Sequence, residues 1–141
     1  MINKLLCPIH KEGWFIILIF ACVTLIAWHV TPPLGVIGII LTAWSIYFFR
    51  DPFRVTPQGD SLIISPADGK LLPVVRVIPP KDLGLPETEH VRLSIFMNVF
   101  NVHVNRTPIA GVLTHIKYHE GKFFNASLDK ASIDNERKGF R

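Results

Sequence analysis

Between Asn98 and Gly111 the chain reads Asn-Val-Phe-Asn-Val-His-Val-Asn-Arg-Thr-Pro-Ile-Ala-Gly. This stretch sets one imidazole (His103) and one guanidinium (Arg106) among three side-chain amides, Asn98, Asn101 and Asn105. An imidazole can move a proton near neutral pH, and a guanidinium can hold an anion. A further group with useful chemistry is Asp68, in Ser65-Pro66-Ala67-Asp68-Gly69. A carboxylate at such a point can orient a histidine or take a proton. Both sites also have plain readings: an ordinary histidine in a well-bonded loop, and a turn in which Pro66 fixes φ and Asp68 caps the backbone. His115 and His119 lie four apart, on one face of any strand that carries them. No carboxylate or cysteine completes a metal set with them, and no zinc-type Cys/His spacing occurs, so no metal is expected. Asn135-Glu136-Arg137 taken alone is polar surface.

The elements around these groups read mainly as short strands. Val91 to Met97 alternates apolar and polar residues, and Val112 to Tyr118 does so again. His103 and Arg106 then lie where a strand gives way to a loop, punctuated by Pro108 and Gly111. Leu62-Ile63-Ile64 reads as a short apolar strand, and Lys70 to Ile78 as a valine-rich strand bent by Pro73. Pro79 to Glu89 is a loop, and no strong helix is expected between Asp51 and Tyr118. After Gly121 the chain turns polar and irregular and reaches Arg141 with no terminating element. A sheet of this kind looks unfinished, and the expectation is the amino-terminal part of something longer.

The first fifty residues differ in kind. Hydrophobic residues make 49% of the 141 and charged residues 18%, with the apolar excess concentrated before Arg50. Trp14 to Val30 and Leu34 to Phe49 contain no Asp, Glu, Lys or Arg. Each is close to the minimum length for a membrane helix, and Thr31-Pro32-Pro33 separates them. A signal peptide would have a shorter apolar core and a small-residue cleavage site, whereas here bulky apolar residues resume after the prolines. A buried helical hairpin of a soluble protein is the other alternative. Lys4, Lys11, Arg50 and Arg54 flank the apolar runs while the turn is uncharged, which puts both ends on the cytoplasmic side. Trp14, Trp28, Trp44 and Tyr47 fall near the expected interfaces. In Phe48-Phe49-Arg50-Asp51-Pro52-Phe53-Arg54, the two arginines either hold lipid phosphates or simply stop transfer. A net charge of +4 from dispersed basic residues excludes a dedicated nucleic-acid binder. Cys7 and Cys22 make no disulfide framework.

Four motifs occur in one order: Phe48-Phe49-Arg50-Asp51-Pro52, Ser65-Pro66-Ala67-Asp68-Gly69, Asn101-Val102-His103-Val104-Asn105-Arg106 and Asn135-Glu136-Arg137. In that order and spacing the chain resembles the short, bacterial-type phosphatidylserine decarboxylases, over essentially its whole length. The resemblance implies a pyruvoyl-dependent lyase. In that family a serine of a Gly-Ser motif near the carboxyl end cuts its own preceding peptide bond and becomes the pyruvoyl group. The cut separates a β subunit from a small α segment. The amine of phosphatidylserine then forms a Schiff base with the pyruvoyl group, carbon dioxide leaves, and phosphatidylethanolamine is released.

By motif match, Asp68 takes the aspartate role in activating the serine, and His103 takes the histidine role near the reacting carboxylate. Arg50, Arg54, Asn105 and Arg106 are the expected contacts to the lipid headgroup. The second histidine of the longer members' pair falls on Arg106, so its role is not carried over; His115 is the nearer substitute. No serine of this chain follows a glycine. The pyruvoyl precursor is therefore absent from the sequence, and the chain is expected to be inactive by itself, its partner being the α segment. The expected fold is an N-terminal transmembrane helical hairpin followed by a mostly β domain with an incomplete, hammerhead-like sheet. It divides into a cytoplasmic head (1–13), a two-helix anchor (14–49), an interfacial linker (50–60) and a partial catalytic β domain (61–141). The expected location is the inner membrane, with the β domain on the cytoplasmic face. The alternative is a membrane-tethered biotinyl/lipoyl-like adaptor or carrier, suggested by Pro108-Ile109-Ala110-Gly111-Val112, although no lysine sits in a carrier motif.

Overall fold

The computed structural model describes residues 7–59, 61–125 and 134–141. The start of the expected head, Asp60 and part of the polar stretch after Gly121 lie outside the described residues. The chain divides into two units. The first comprises Met1–Gly69 and Met97–Ile109, and the second Lys70–Phe96 and Ala110–Arg141.

The first unit is led by two helices, α1 (Gly13–Val30) and α2 (Pro32–Phe48). Only Thr31 separates them, in an extended conformation (φ −154°, ψ 139°). As expected, α1 ends just before Thr31-Pro32-Pro33. The prolines also open the second helix, at the positions where a missing N–H costs nothing because no intrahelical acceptor is available. The two helices lie against each other, and small residues let them approach. A Cβ on Gly38 would lie 2.7 Å from the Thr24 hydroxyl oxygen. The Thr24 hydroxyl donates to the Phe20 carbonyl (2.7 Å), that of Thr42 lies against the Gly38 carbonyl (2.9 Å), and the two hydroxyls are 3.0 Å apart. Ser45 is buried, and its hydroxyl has no hydrogen-bond partner among the described residues. The outward residues, among them Phe15, Leu18, Leu25 and Ile26, are exposed. α1 is long and apolar enough to cross a membrane; α2, at 17 residues, is shorter.

The second unit holds three two-stranded antiparallel ribbons and no closed barrel among the described residues. β1 (Lys70–Leu71) pairs with β4 (Ile95–Phe96), β2 (Val75–Val77) with β3 (His90–Arg92), and β5 (Ile116–His119) with β6 (Arg137–Phe140). β1 and β2 are the two halves of the expected strand 70–78, broken around Pro73, which has no N–H for a ladder. The Leu72 N–H still reaches the Ser94 carbonyl across the break (2.8 Å). Leu62–Ile64 forms no strand. The Ile64 N–H donates to the Pro108 carbonyl (2.9 Å), but Pro108 cannot donate in return, so no ladder starts there. β6 is a correction to the expected irregular ending: Arg137–Phe140 is a paired strand, in register from His119↔Arg137 to Ile116↔Phe140.

Candidate functional site

The amides of the first unit shape the loop that carries His103. The Asn98 side-chain oxygen accepts from the Phe100 N–H (3.0 Å), and that of Asn101 accepts from the Asn98 N–H (2.7 Å). The Asn101 N–H closes the turn onto the Asn98 carbonyl (2.8 Å). Val102 follows and is buried at 3% exposure. This anchors the backbone just before His103, whose ring is half-buried. Its Nδ1–H donates to the Asn101 carbonyl (3.2 Å), which leaves Nε2 as the basic nitrogen of the neutral ring. The Phe48 ring stacks on the imidazole, with centroids 4.1 Å apart and planes 21° from parallel. Trp44 and Phe49 brace Phe48 in turn, at 5.2 and 5.1 Å between centroids.

The residues immediately after α2 reach three separate pieces of this unit. The Arg50 guanidinium donates to the Tyr47 carbonyl (2.5 Å) and to the Phe100 carbonyl (2.9 Å). The Asp51 carboxylate is paired with Arg106, which also approaches the Pro52 carbonyl (3.3 Å). The backbone N–H of Arg106 donates to the Pro66 carbonyl (2.8 Å), fastening the histidine loop to the 65–69 turn. Arg54 then pairs with Asp68 at 2.6 Å. Asp68, His103, Arg50, Arg54 and Arg106 thus belong to one unit, and Asn105 is exposed on the same loop. Asp68 finds its partner in Arg54, while the Nδ1 of His103 is occupied by a carbonyl. Phe48 and Asp51 were read from sequence only as part of the Phe48–Pro52 motif, with no role of their own. The signal available for Asp51 was its place between two arginines in an otherwise aromatic stretch.

His115 belongs to the second unit, where the histidines meet one residue. Nε2 of His115 donates to the Asp82 carbonyl (3.0 Å), and Nε2 of His119 bonds the Asp82 carboxylate. Asp82 lies in a short 3₁₀ turn, Lys81–Leu83, ended by Gly84 at φ 62°, a left-handed value that glycine adopts without strain. Arg141 donates to the Gly84 carbonyl (2.6 Å) and closes the turn from the other side. No group of three histidine, cysteine or acidic residues converges as a metal site among the described residues. Asn135 bonds the Phe124 N–H (2.7 Å) and carbonyl (2.8 Å) through its side-chain amide, so part of the Asn-Glu-Arg motif acts as an added strand edge.

The family model for phosphatidylserine decarboxylase matches residues 41–140. The chain belongs to the phosphatidylserine decarboxylase family. It is 50% identical over 137 residues to the phosphatidylserine decarboxylase proenzyme of Cereibacter sphaeroides, a match covering 97% of this chain and 59% of that protein. It is 53% identical over 137 residues to the one from Ruegeria pomeroyi, covering 97% of this chain and 63% of that protein. The chain therefore spans about three fifths of the length of these curated relatives. No solved structure matches it. The match to the phosphatidylserine decarboxylase family starts inside α2 and includes Asp68, His103 and every residue found to contact them.

Proposed function

We propose that this chain is the amino-terminal, β-subunit part of a phosphatidylserine decarboxylase proenzyme, acting on phosphatidylserine at a membrane surface to give phosphatidylethanolamine and carbon dioxide. The observation that carries this reading is that the segment at the end of an apolar helix links to all three residues, Phe48 to His103, Asp51 to Arg106 and Arg54 to Asp68, in a chain of this family. α1 and α2 form the membrane anchor, as a hairpin with both ends on the cytoplasmic side of the inner membrane. The ribbons belong to a larger, hammerhead-like sheet completed by the rest of the protein.

A pyruvoyl group supplies an electrophilic carbonyl that draws electrons from the bond to the departing carboxylate. The donor set suits an organic group of this kind: one imidazole with a basic Nε2 and one carboxylate neutralised by a guanidinium, fewer ligands than a zinc site takes. His103 holds or delivers a proton through Nε2, with Phe48 covering one ring face and fixing the other for substrate. Asp68 serves the self-cleavage that makes the cofactor. Arg50, Arg54, Arg106 and Asn105 meet the headgroup. Each of these arginines has an internal partner, so an incoming phosphate competes with Asp68 or Asp51 or adds to the cluster. His115 belongs to the second unit, with its Nε2 on the Asp82 carbonyl, and no part in this site is assigned to it.

The test is reconstitution. The chain is joined to the carboxyl-terminal segment of the Ruegeria relative, placed in vesicles and assayed for carbon dioxide from carboxyl-labelled phosphatidylserine. The joined protein is expected to be active, the chain alone inactive, and His103→Ala in the joined protein about 10²–10⁴-fold slower, the usual scale for one acid–base group. A correctly cleaved joined protein with full activity lacking His103 overturns the assignment.

A further inference from the structure

We propose that the Asn98–Asn101 turn is a membrane-inserting wedge, its Val99–Phe100 tip entering the lipid surface beside the end of α2. The inference goes beyond the enzymatic reading and rests on the part of it that seats α1 and α2 in a bilayer. Three observations lead to it. The tip is apolar and open, with Val99 52% and Phe100 62% exposed, on a turn where polar residues are the usual choice. Most of its backbone is already satisfied from within: the N–H groups of Asn98, Phe100 and Asn101 are taken by the two asparagines, and the Phe100 carbonyl by Arg50. A segment that leaves water must bring its hydrogen-bond partners along, and these groups bring theirs.

The third observation fixes the occupant. One guanidinium, that of Arg50, spans the carbonyls of Tyr47 and Phe100 and lies over the Tyr47 ring at 3.5 Å. The tip is thereby tied to the last turn of an apolar helix, continuous with the surface that faces lipid. An aromatic beside an arginine at a helix end is the usual composition of the headgroup boundary. Shallow insertion of two apolar side chains there is a form of interfacial attachment. His103 follows the tip by three residues, after buried Val102. Insertion therefore fixes the depth of the imidazole at the level of lipid headgroups.

The experiment uses the full chain with Cys7→Ala and Cys22→Ala, reconstituted into phosphatidylcholine–phosphatidylglycerol vesicles. A single cysteine at Phe100, Val99, Ile19 or Lys117 carries an environment-sensitive fluorophore. Quenching is read from nitroxides attached at known lipid depths and from aqueous iodide. The probes at Phe100 and Val99 are expected to be quenched by the shallow nitroxide and shielded several-fold from iodide relative to the β5 probe at Lys117. Adding Val99→Asp to the Phe100 probe should restore iodide access, showing that the tip rather than the fluorophore drives entry. If the Ile19 probe lies deep while both tip probes are as open to iodide as Lys117, the wedge is overturned and the anchor stands. If the Ile19 probe is also iodide-accessible, the membrane reading of α1 fails and takes the wedge with it. Shielding of the tip from iodide without lipid quenching assigns it to a protein contact and also overturns the proposal.

Discussion

Phe48, the last residue of α2, lies stacked on His103, 55 positions further along the chain, with ring centroids 4.1 Å apart. The contact joins an apolar helix to the group proposed to handle a proton. A stacked aromatic pair is worth about 0.5–1.5 kcal/mol beyond its buried area. Phe48→Ala in the joined enzyme should therefore slow decarboxylation by roughly threefold to tenfold, while Phe48→Tyr stays near the parent rate. In NMR spectra of the chain, the His103 ring protons should lose their upfield ring-current displacement in the alanine variant and keep it in the tyrosine one. A displacement that survives Phe48→Ala would show that the stack does not hold the ring.

Asp68 and His103 should separate on a gel. Asp68→Asn keeps the size but removes the charge and the base, and the joined proenzyme should accumulate uncut. His103→Ala should be cut, at least partly, yet lose activity. Folding should not confuse the comparison. The Arg54–Asp68 pair is more than a third exposed, and such pairs contribute about 0–1 kcal/mol. Normal cleavage of Asp68→Asn would leave this residue a turn-former only, and blocked cleavage of His103→Ala would move the histidine into the processing machinery.

The Asp51–Arg106 pair is the more sheltered of the two, at 32% and 34% side-chain exposure. A double-mutant cycle with Asp51→Asn and Arg106→Gln, read by thermal melting in detergent, should give a coupling of about 1 kcal/mol. The same cycle on Arg54 and Asp68 should give less. Equal couplings would mean that burial does not distinguish the pairs.

Acid should loosen the second unit first at the Lys81–Leu83 turn. Burial raises the pKa of Asp82, but the hydrogen bond and charge of His119, with the charge of Arg137, outweigh it and hold the carboxyl below its ordinary value. The groups facing it are His119, Arg137 and, through the backbone carbonyl, His115. A folded-state pKa below the unfolded one gives stability that is present above about 4 and lost as pH falls through the folded value. Hydrogen-exchange protection of β5 should therefore drop below about pH 4 while the β2–β3 ribbon changes less, and Asp82→Asn should remove the difference.

Much of the architecture was legible because it depends on local chemistry. Two uncharged runs became α1 and α2, Pro73 broke its strand, and the asparagines of 98–101 built a turn. What escaped depends on distant partners. Arg137-Lys138-Gly139-Phe140 has no strand signature; it is extended because Ile116–His119 offers a ladder and because Gly139, without a Cβ, fits against the Leu83 side chain. Asp51 and Arg106 are 55 residues apart in sequence, and nothing in either neighbourhood announces the other. His115 and His119 were read as a pair on one face, but their shared partner, Asp82, lies on a loop that composition alone left featureless.

The two threonines between the helices have fewer protons than contacts. Thr24 and Thr42 carry one hydroxyl proton each, yet three oxygen–oxygen approaches converge on them: Thr24 to the Phe20 carbonyl, Thr42 to the Gly38 carbonyl, and one hydroxyl to the other. When Thr24 serves its own helix, the proton of Thr42 must choose between Gly38 and Thr24. The bond between the helices is thus optional at any instant, and its loss costs only an exchange for a bond within one helix. Such a link cannot set the register of the pair. That duty falls to the steric fit at Gly38 against Thr24 and at Gly35, where a Cβ would run into the Trp28 ring, a fit with no alternative state to exchange with. Thr42→Val should accordingly leave the two helices associated, whereas Gly38→Leu should drive them apart.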